Sequence, residues 1–190
     1  MKLVILDRDG VINEDSDSYI KSDAEWIPLE GSIEAIAKLS KAGFTIVVAT
    51  NQSGLSRKLF DLDDLEAMHE KMNYLIKKAG GKLNGVFFCP HHPDDNCQCR
   101  KPKTGLIDAI EKELSTTAAG AYFVGDSLRD IESAIAKHCK PILVRTGNGE
   151  KTLKELNSEQ SGKERGDIKM EQLAVFNDLA AASNFIIKTH

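Results

Sequence analysis

Residues 2–13 read KLVILDRDGVIN: four apolar side chains in a row, Leu3 to Leu6, stop at two aspartates one residue apart, Asp7 and Asp9, followed by Gly10. A short apolar run without polar alternation predicts a strand buried on both faces, as in a parallel sheet. Four further runs have the same character: FTIVVAT (44–50), GVFFC (85–89), AYFVGD (121–126) and PILVR (141–145). Between them apolar residues return at helical spacing. They are Ile33, Ile36 and Leu39 before Gly43; Leu65, Met68, Met72, Leu75 and Ile76 before Gly80-Gly81; Leu106, Ile107, Ile110 and Leu114 in a helix starting near Thr104; and Ile131 and Ile135 after Asp126. Strands alternating with helices predict an α/β fold, a doubly wound and mainly parallel sheet whose ligands sit beyond the carboxyl ends of the strands. Residues 146–167, rich in Gly, Glu, Lys and Ser, read as a solvated loop with one helical turn at Thr152–Leu156. The tail AVFNDLAAASNFIIK (174–188) reads as a last strand, helix and strand.

The chain has 190 residues, 41% hydrophobic and 28% charged, with a net charge of -4. That length predicts a single domain over 1–190. The acidic balance gives no footprint for nucleic acid or an anionic membrane. The N-terminal apolar run is far shorter than a signal-peptide core, and no later run approaches the roughly 18 residues of a membrane helix. A cytoplasmic protein is expected, with monomer as the default state.

The chemistry gathers at the strand ends. Asp7 and Asp9 leave the first strand at its carboxyl edge, with Gly10 allowing close approach of the backbone. The fourth strand ends in Gly125-Asp126-Ser127-Leu128-Arg129-Asp130, which brings Asp126 to the same edge if the two strands are neighbours. Carboxylates collected there repel unless a cation holds them, and hard oxygen ligands suit Mg²⁺. Taken singly, Asp7 and Asp9 are also ordinary turn residues and Asp126 an ordinary helix N-cap; taken together they are not. The second strand ends in Thr50-Asn51-Gln52-Ser53-Gly54, a set of hydroxyl, amide and backbone donors suited to phosphate oxygens.

The stretch CPHHPDDNCQCRKPK (89–103) holds three of the four cysteines and two of the five histidines, and ends in Arg100, Lys101 and Lys103. In a reducing compartment such a cluster reads as a metal site. A nucleic-acid-binding knuckle is disfavoured by the lack of interleaved aromatics, and a disulfide framework by the odd cysteine count. Cys139, far along the chain, reads as a small buried hydrophobe. On spacing alone Lys101 and Lys103 are equal candidates for the cation missing from the strand-end site.

DxD after the first strand, Thr after the second, a later Lys, and GD with a further acid after the fourth together resemble the haloacid dehalogenase-like phosphohydrolases. That resemblance implies Asp7 as the nucleophile and Asp9 as general acid and then base. Thr50 and Lys101 would stabilise the phosphoryl group, and Mg²⁺ would be held by Asp7, the Asp9 carbonyl and Asp126. Within that superfamily DRDGVIN, TNQSG and CPHHPDDNCQCRKPK look like the zinc-loop phosphatases acting on D-glycero-D-manno-heptose 1,7-bisphosphate. Their C-x-H…C-x-C pattern maps onto Cys89, His91, Cys97 and Cys99, a zinc loop at about 89–99. Three thiolates and one imidazole close a tetrahedral site, so this Zn²⁺ would be structural, and His92 is left for solvent or support. By the same resemblance Arg100 contacts substrate, as do Asn51, Gln52 and Ser53, and Asp15, Ser18 and Tyr19 fall in the substrate loop, where NEDSDSYI carries one extra residue. Ser127 stands where relatives commonly have lysine.

The stretch between the first two motifs is too short for a large cap. The implied reaction is removal of the 7-phosphate from the sugar bisphosphate, leaving heptose 1-phosphate for nucleotide activation and lipopolysaccharide synthesis. A histidinol-phosphate phosphatase shares the DxD and zinc-loop motifs and is the nearest alternative. An inactive zinc-stabilised binding module is the alternative of a different class; the joint presence of Asp7, Asp9, Thr50, Lys101 and Asp126 argues against it.

Overall fold

A computed structural model describes residues 1–158 and 173–190. Its elements are β1 (Leu3–Leu6), α1 (Ser32–Lys41), β2 (Thr45–Asn51), α2 (Leu62–Lys78), β3 (Gly85–Cys89), α3 (Gly105–Glu113), β4 (Tyr122–Gly125), α4 (Leu128–Ala136), β5 (Lys140–Val144), α5 (Gly149–Asn157), β6 (Ala174–Phe176) and α6 (Leu179–Lys188). The strands form one six-stranded sheet in the order β3-β2-β1-β4-β5-β6. Every pairing is parallel. The chain winds outward from β1 to β3, then returns to the centre and winds the other way, so the crevice of the switch point opens between β1 and β4.

The two-sided burial expected of β1 follows from its position at the centre. Val4 and Leu6 enter a core built with α1, α2 and α6, where Ile36, Leu39, Met68, Met72 and Ile186 are fully buried. Leu3 and Ile5 face the opposite layer, packing with Ile107 and Ile110 of α3 and Ala134 of α4. Burying each such aliphatic side chain contributes about 1.5–3 kcal/mol, and a one-residue slip would exchange the two faces. The register is thereby locked: Leu6 lies opposite Val48 on one side and Val124 on the other. Asp7 therefore leaves the sheet level with Gly125-Asp126, its N–H donating to the Val124 carbonyl at 2.9 Å. Cys139 is buried in the second layer, its thiol donating to the Ala118 carbonyl at 3.2 Å.

Two expectations need correction. The tail has no closing strand: after β6, α6 runs unbroken to Lys188. The β-branched pair Ile186-Ile187 suggests a strand, but Leu179, Ala182 and Ile186 share one helical stripe packed in the core, and Asp178 caps the first turn by accepting from the Ala181 N–H at 2.7 Å. The segment after β5 is also more ordered than expected. In place of one turn at 152–156, α5 begins at Gly149, and Gly149 and Thr152 are buried. Thr152 Oγ1 donates to the Asp126 carbonyl at 2.9 Å, a tertiary contact that hydropathy does not reveal. Residues 159–167 of the expected loop lie outside the described residues. The connections after β1 (residues 7–31) and β2 (residues 52–61) are loops without a large cap. No helix among the described residues is long and apolar enough to cross a membrane.

Candidate active site

Three carboxylates meet where β1 and β4 end: those of Asp7, Asp126 and Asp130 offer oxygens all within 4.8 Å of one another. Asp126 is not the N-cap of α4; Ser127 occupies that position. Asp126 instead accepts from the Asn148 N–H at 2.7 Å. Gly10, at φ 79°, and Gly147, at φ 56°, let backbone pass close by, since a Cβ on either would collide with the Asp126 carboxylate. Asp130, in the motif but outside the expected metal ligands, is buried. Its Oδ2 accepts from the Ser127 N–H at 3.0 Å and hydroxyl at 2.6 Å.

Burial, then repulsion from Asp130, pushes the Asp7 carboxyl well above its ordinary range and Asp126 up to about 7. A buried anionic set of this kind calls for a cation. Mg²⁺ with oxygens at about 2.1 Å spans roughly 3–4 Å between ligand atoms, so the cluster fits it. The Asp9 side chain is not in the cluster, which leaves its backbone carbonyl as the group it would offer.

Lys101 is the cation that the chain itself supplies. It is 2% exposed, and its Nζ lies 2.9 Å from Asp7 Oδ1, 2.6 Å from Asp130 Oδ1 and 2.8 Å from the Ala49 carbonyl. Burial opposes its charge, but Asp130 and Asp7 outweigh that and hold its pKa above the usual value. Lys103 is directed elsewhere: its ammonium donates to the Asn96 side chain at 2.6 Å and the Cys97 carbonyl at 2.9 Å. The choice between the two lysines, open on spacing, is thus made by packing. Asn51, expected on substrate, pairs with the Lys101 backbone in both directions. The Lys101 N–H donates to Asn51 Oδ1 at 3.1 Å, and Asn51 Nδ2 donates to the Lys101 carbonyl at 3.2 Å.

Asp9 is held by donors on both oxygens. Arg8 donates through Nε at 3.1 Å and Nη2 at 2.9 Å to Oδ1; Asn13 Nδ2 donates to Oδ1 at 2.8 Å, and Gln52 Nε2 to Oδ2 at 2.8 Å. Burial alone raises the Asp9 pKa, yet Arg8 and these hydrogen bonds bring it below the ordinary carboxylate value. Gln52 also donates to Thr50 Oγ1 at 2.9 Å, tying the hydroxyl after β2 to the carboxylate after β1. Arg8 and Asn13 were not singled out in the sequence, although Arg8 lies between the two aspartates.

Asp7, Arg8, Asp9, Thr50, Asn51, Gln52, Lys101 and Asp126 line a cavity of about 240 Å³ together with Asp15, Ser16, Tyr19, Ser53, Arg100, Ser127, Arg129 and Asn148. Ser18 is not in the lining; its N–H donates to Ser16 Oγ at 3.1 Å, and Ser16 takes the place facing the cavity. Asn148 links the loop after β5 to the substrate loop, donating to Asp15 Oδ2 at 2.7 Å. Arg100 Nη1 is buried without a hydrogen-bond partner among the described residues. Burial, then the Arg129 charge, lowers the Arg100 pKa. Arg129 was visible only as a polar residue of the GD motif.

In the 89–99 loop Cys89, His91, Cys97 and Cys99 converge. The sulfurs lie 3.1–3.6 Å apart, and His91 Nδ1 is 3.2 Å from Cys99 Sγ and 3.6 Å from Cys89 Sγ. Tetrahedral zinc with Zn–S of about 2.3 Å sets sulfurs roughly 3.8 Å apart, whereas a disulfide needs about 2.05 Å, so the set fits a metal and forms no bridge. His92 turns away to close a 3₁₀ turn, Pro93–Asp95, accepting from the Asp94 N–H at 3.3 Å. The loop delivers Cys99 directly into Arg100 and Lys101.

The family described as polynucleotide kinase 3 phosphatase matches residues 2–159. A D-glycero-beta-D-manno-heptose-1,7-bisphosphate 7-phosphatase from Pseudomonas putida is 49% identical over 187 residues, 98% of this chain and 100% of that protein. One of the same name from Bordetella bronchiseptica is 54% identical over 153 residues, 80% of this chain and 86% of that one. Among solved structures, D,D-heptose 1,7-bisphosphate phosphatase from B. bronchiseptica, complexed with magnesium and phosphate, is 47% identical with a TM-score of 0.90 and full coverage of both chains. The Burkholderia thailandensis phosphatase of that name is 38% identical with a TM-score of 0.73, covering 98% of this chain and 99% of that one. With its strand-end carboxylates, buried lysine and Cys/His loop arranged on this sheet, the chain belongs to the D-glycero-D-manno-heptose-1,7-bisphosphate 7-phosphatase family of haloacid dehalogenase-like phosphoric monoester hydrolases.

Proposed function

We propose that this chain, as a single-domain monomer of the cytoplasm, removes the 7-phosphate of D-glycero-D-manno-heptose 1,7-bisphosphate and leaves the 1-phosphate for nucleotide activation on the way to lipopolysaccharide. The β anomer is the form carried in the relatives' names. The observation that carries the reading is the ion pair of Lys101 Nζ with Asp7 Oδ1, 2.9 Å apart at the switch point. An aspartate attacks a phosphate dianion only where cations offset both charges.

Asp7 forms the bond to phosphorus as the sugar oxygen leaves, and that oxygen takes its proton from Asp9. Arg8 keeps the resting Asp9 carboxyl ionised, so it first acquires the proton, from a substrate phosphate whose second pKa is about 6. Water then gives a proton back to Asp9 and attacks phosphorus, releasing phosphate and freeing Asp7. Thr50, Ser53 and Lys101 hold the phosphoryl oxygens, and the backbone of Lys101 is kept in place by Asn51. Mg²⁺, held by Asp7, Asp126 and the Asp9 carbonyl, neutralises charge on the transferring group. Cys89, His91, Cys97 and Cys99 would hold Zn²⁺, which would order the loop and take no part in the reaction.

Arg100 and Arg129 suit the second phosphate. A planar guanidinium gives forked donation to phosphate oxygens, and the buried Arg100 Nη1 has no hydrogen-bond partner among the described residues. Arg129 would supply the charge that Ser127 does not. The deciding experiment is phosphate release with Mg²⁺ over the α and β heptose bisphosphates, fructose 1,6-bisphosphate, histidinol phosphate and a 3′-phosphorylated oligonucleotide. The heptose bisphosphate is expected to lead in kcat/KM; preference for histidinol phosphate or the oligonucleotide would overturn the assignment. Asp7→Asn should be inert on every substrate.

A further inference from the structure

His69 lies on α2, outside every motif of the reaction, yet it touches the active-site arginine. Arg8 is 1% exposed and directs its guanidinium to two sides. Nε and Nη2 fork onto Asp9, while Nη1 meets His69 Nε2 at 3.3 Å. Arginine has donors only, so His69 must present an unprotonated Nε2 and carry its proton on Nδ1. Burial, then the Arg8 charge, lowers the His69 pKa to about 4, in keeping with a ring held neutral as an acceptor. The imidazole is itself braced by the Phe88 ring, 6.2 Å between centroids.

We infer that His69 is a positioning residue for the reaction: by accepting from Arg8 Nη1 it fixes the guanidinium plane, and so the angle at which Asp9 meets the leaving oxygen. The inference rests on the phosphatase reading and not on the sugar. Arg8 cannot hold both the fork and the contact with His69 in more than one orientation, because its five N–H groups are coplanar. Without the acceptor, Nη1 is left buried and unpaired, and the guanidinium turns to find another partner at the expense of the fork. Asn13 and Gln52 still hold Asp9, but not at the angle that Arg8 imposes.

The test uses the dependence of acid catalysis on the leaving group. An alkoxide cannot depart without a proton, whereas nitrophenolate can, so a displaced Asp9 slows only the former. On the Mg²⁺-loaded protein, kcat/KM is measured for an alkyl phosphate that the enzyme turns over and for p-nitrophenyl phosphate, in the parent, His69→Leu and His69→Gln. The ratio of the two substrates on one sample cancels any loss of folded protein. His69→Leu should lower the alkyl value about tenfold, a fraction of the 10²–10⁴ that general acid catalysis provides, and the aryl value less than twofold. His69→Gln, whose amide oxygen can accept from Nη1, should restore most of the ratio. An unchanged ratio in His69→Leu, or equal ratios in the Leu and Gln variants, would overturn the assignment. A phosphatase that prefers another sugar leaves this test intact.

Discussion

Replacing Lys101 by Met removes the ammonium and keeps most of the side-chain volume. Its Nζ stands between Asp7 and Asp130, at 2.9 and 2.6 Å, in a site where Lys101 and Asp130 are 2% and 1% exposed. Each pair is worth about 6 kcal/mol of gross attraction at an effective dielectric of 20, much of which is offset by the desolvation of the ammonium. What the substitution leaves is a set of buried carboxylates with nothing opposite, and breaking a buried pair from one side costs about 3–5 kcal/mol. For a chain of this size that lowers Tm by roughly 6–20 °C. In metal-free buffer, urea or thermal unfolding followed by circular dichroism should register this loss. Mg²⁺ should recover more stability in the variant than in the parent, because the ammonium and the metal compete for the same carboxylates. The double variant with Asp130→Asn should be less destabilised than the two single changes added together. Turnover should fall about 10²–10³-fold, as for loss of one charge aimed at the transition state. A stability loss below about 1 kcal/mol would refute the reasoning that Lys101 neutralises this cluster. So would a smaller Mg²⁺ stabilisation in the variant.

Asn51→Ala unpairs the Lys101 backbone and should cost about 1–3 kcal/mol, with kcat lowered and KM near that of the parent; a change confined to KM would return Asn51 to the role of a substrate contact. Elemental analysis should find one equivalent of zinc in the parent and none in Cys99→Ser, whose turnover should slow as Arg100 and Lys101 loosen; a parent without zinc, or full zinc in the variant, would refute the ligand assignment. Because the folded-state pKa of His69 is depressed from 6.5 to about 4, its contribution is present above the unfolded value and lost as pH falls through that window. The loss is at most about 3 kcal/mol. Denaturant midpoints between pH 7 and 4 should therefore fall less steeply in His69→Leu than in the parent. Gly10→Ala places a Cβ against the Asp126 carboxylate in a left-handed backbone. It should weaken Mg²⁺ binding, measured by titration calorimetry, and lower stability by at least 1 kcal/mol.

Much of the site was legible because its residues sit at strand ends, where a buried run stops and chemistry begins. Asp7, Asp9, Thr50 and Asp126 were found in this way, and all line the one cavity. Residues that act across the fold carried no such mark. Asp130 was only a further acid in a motif until its Oδ1 met Lys101. Asn148, in a segment that read as solvated loop, holds Asp126 and Asp15. His69 was not singled out in the sequence. Asn51 and Gln52 were read as donors to phosphate; both line the cavity, and their side chains also hold Lys101 and Asp9.

By itself the sequence determined the alternating architecture, the carboxyl edge at which the aspartates emerge, and the clustering of cysteines and histidines in the loop. These depend on local periodicity and on spacing within a few residues. Tertiary structure decided which of the two lysines left equal by spacing enters the site, how each carboxylate is turned, and that the final apolar stretch continues a helix. Those outcomes depend on which buried group finds a partner of opposite charge or matching donor in three dimensions, and such partners lie far apart in the chain: Lys101 is joined to Asp7 from one side and Asp130 from the other.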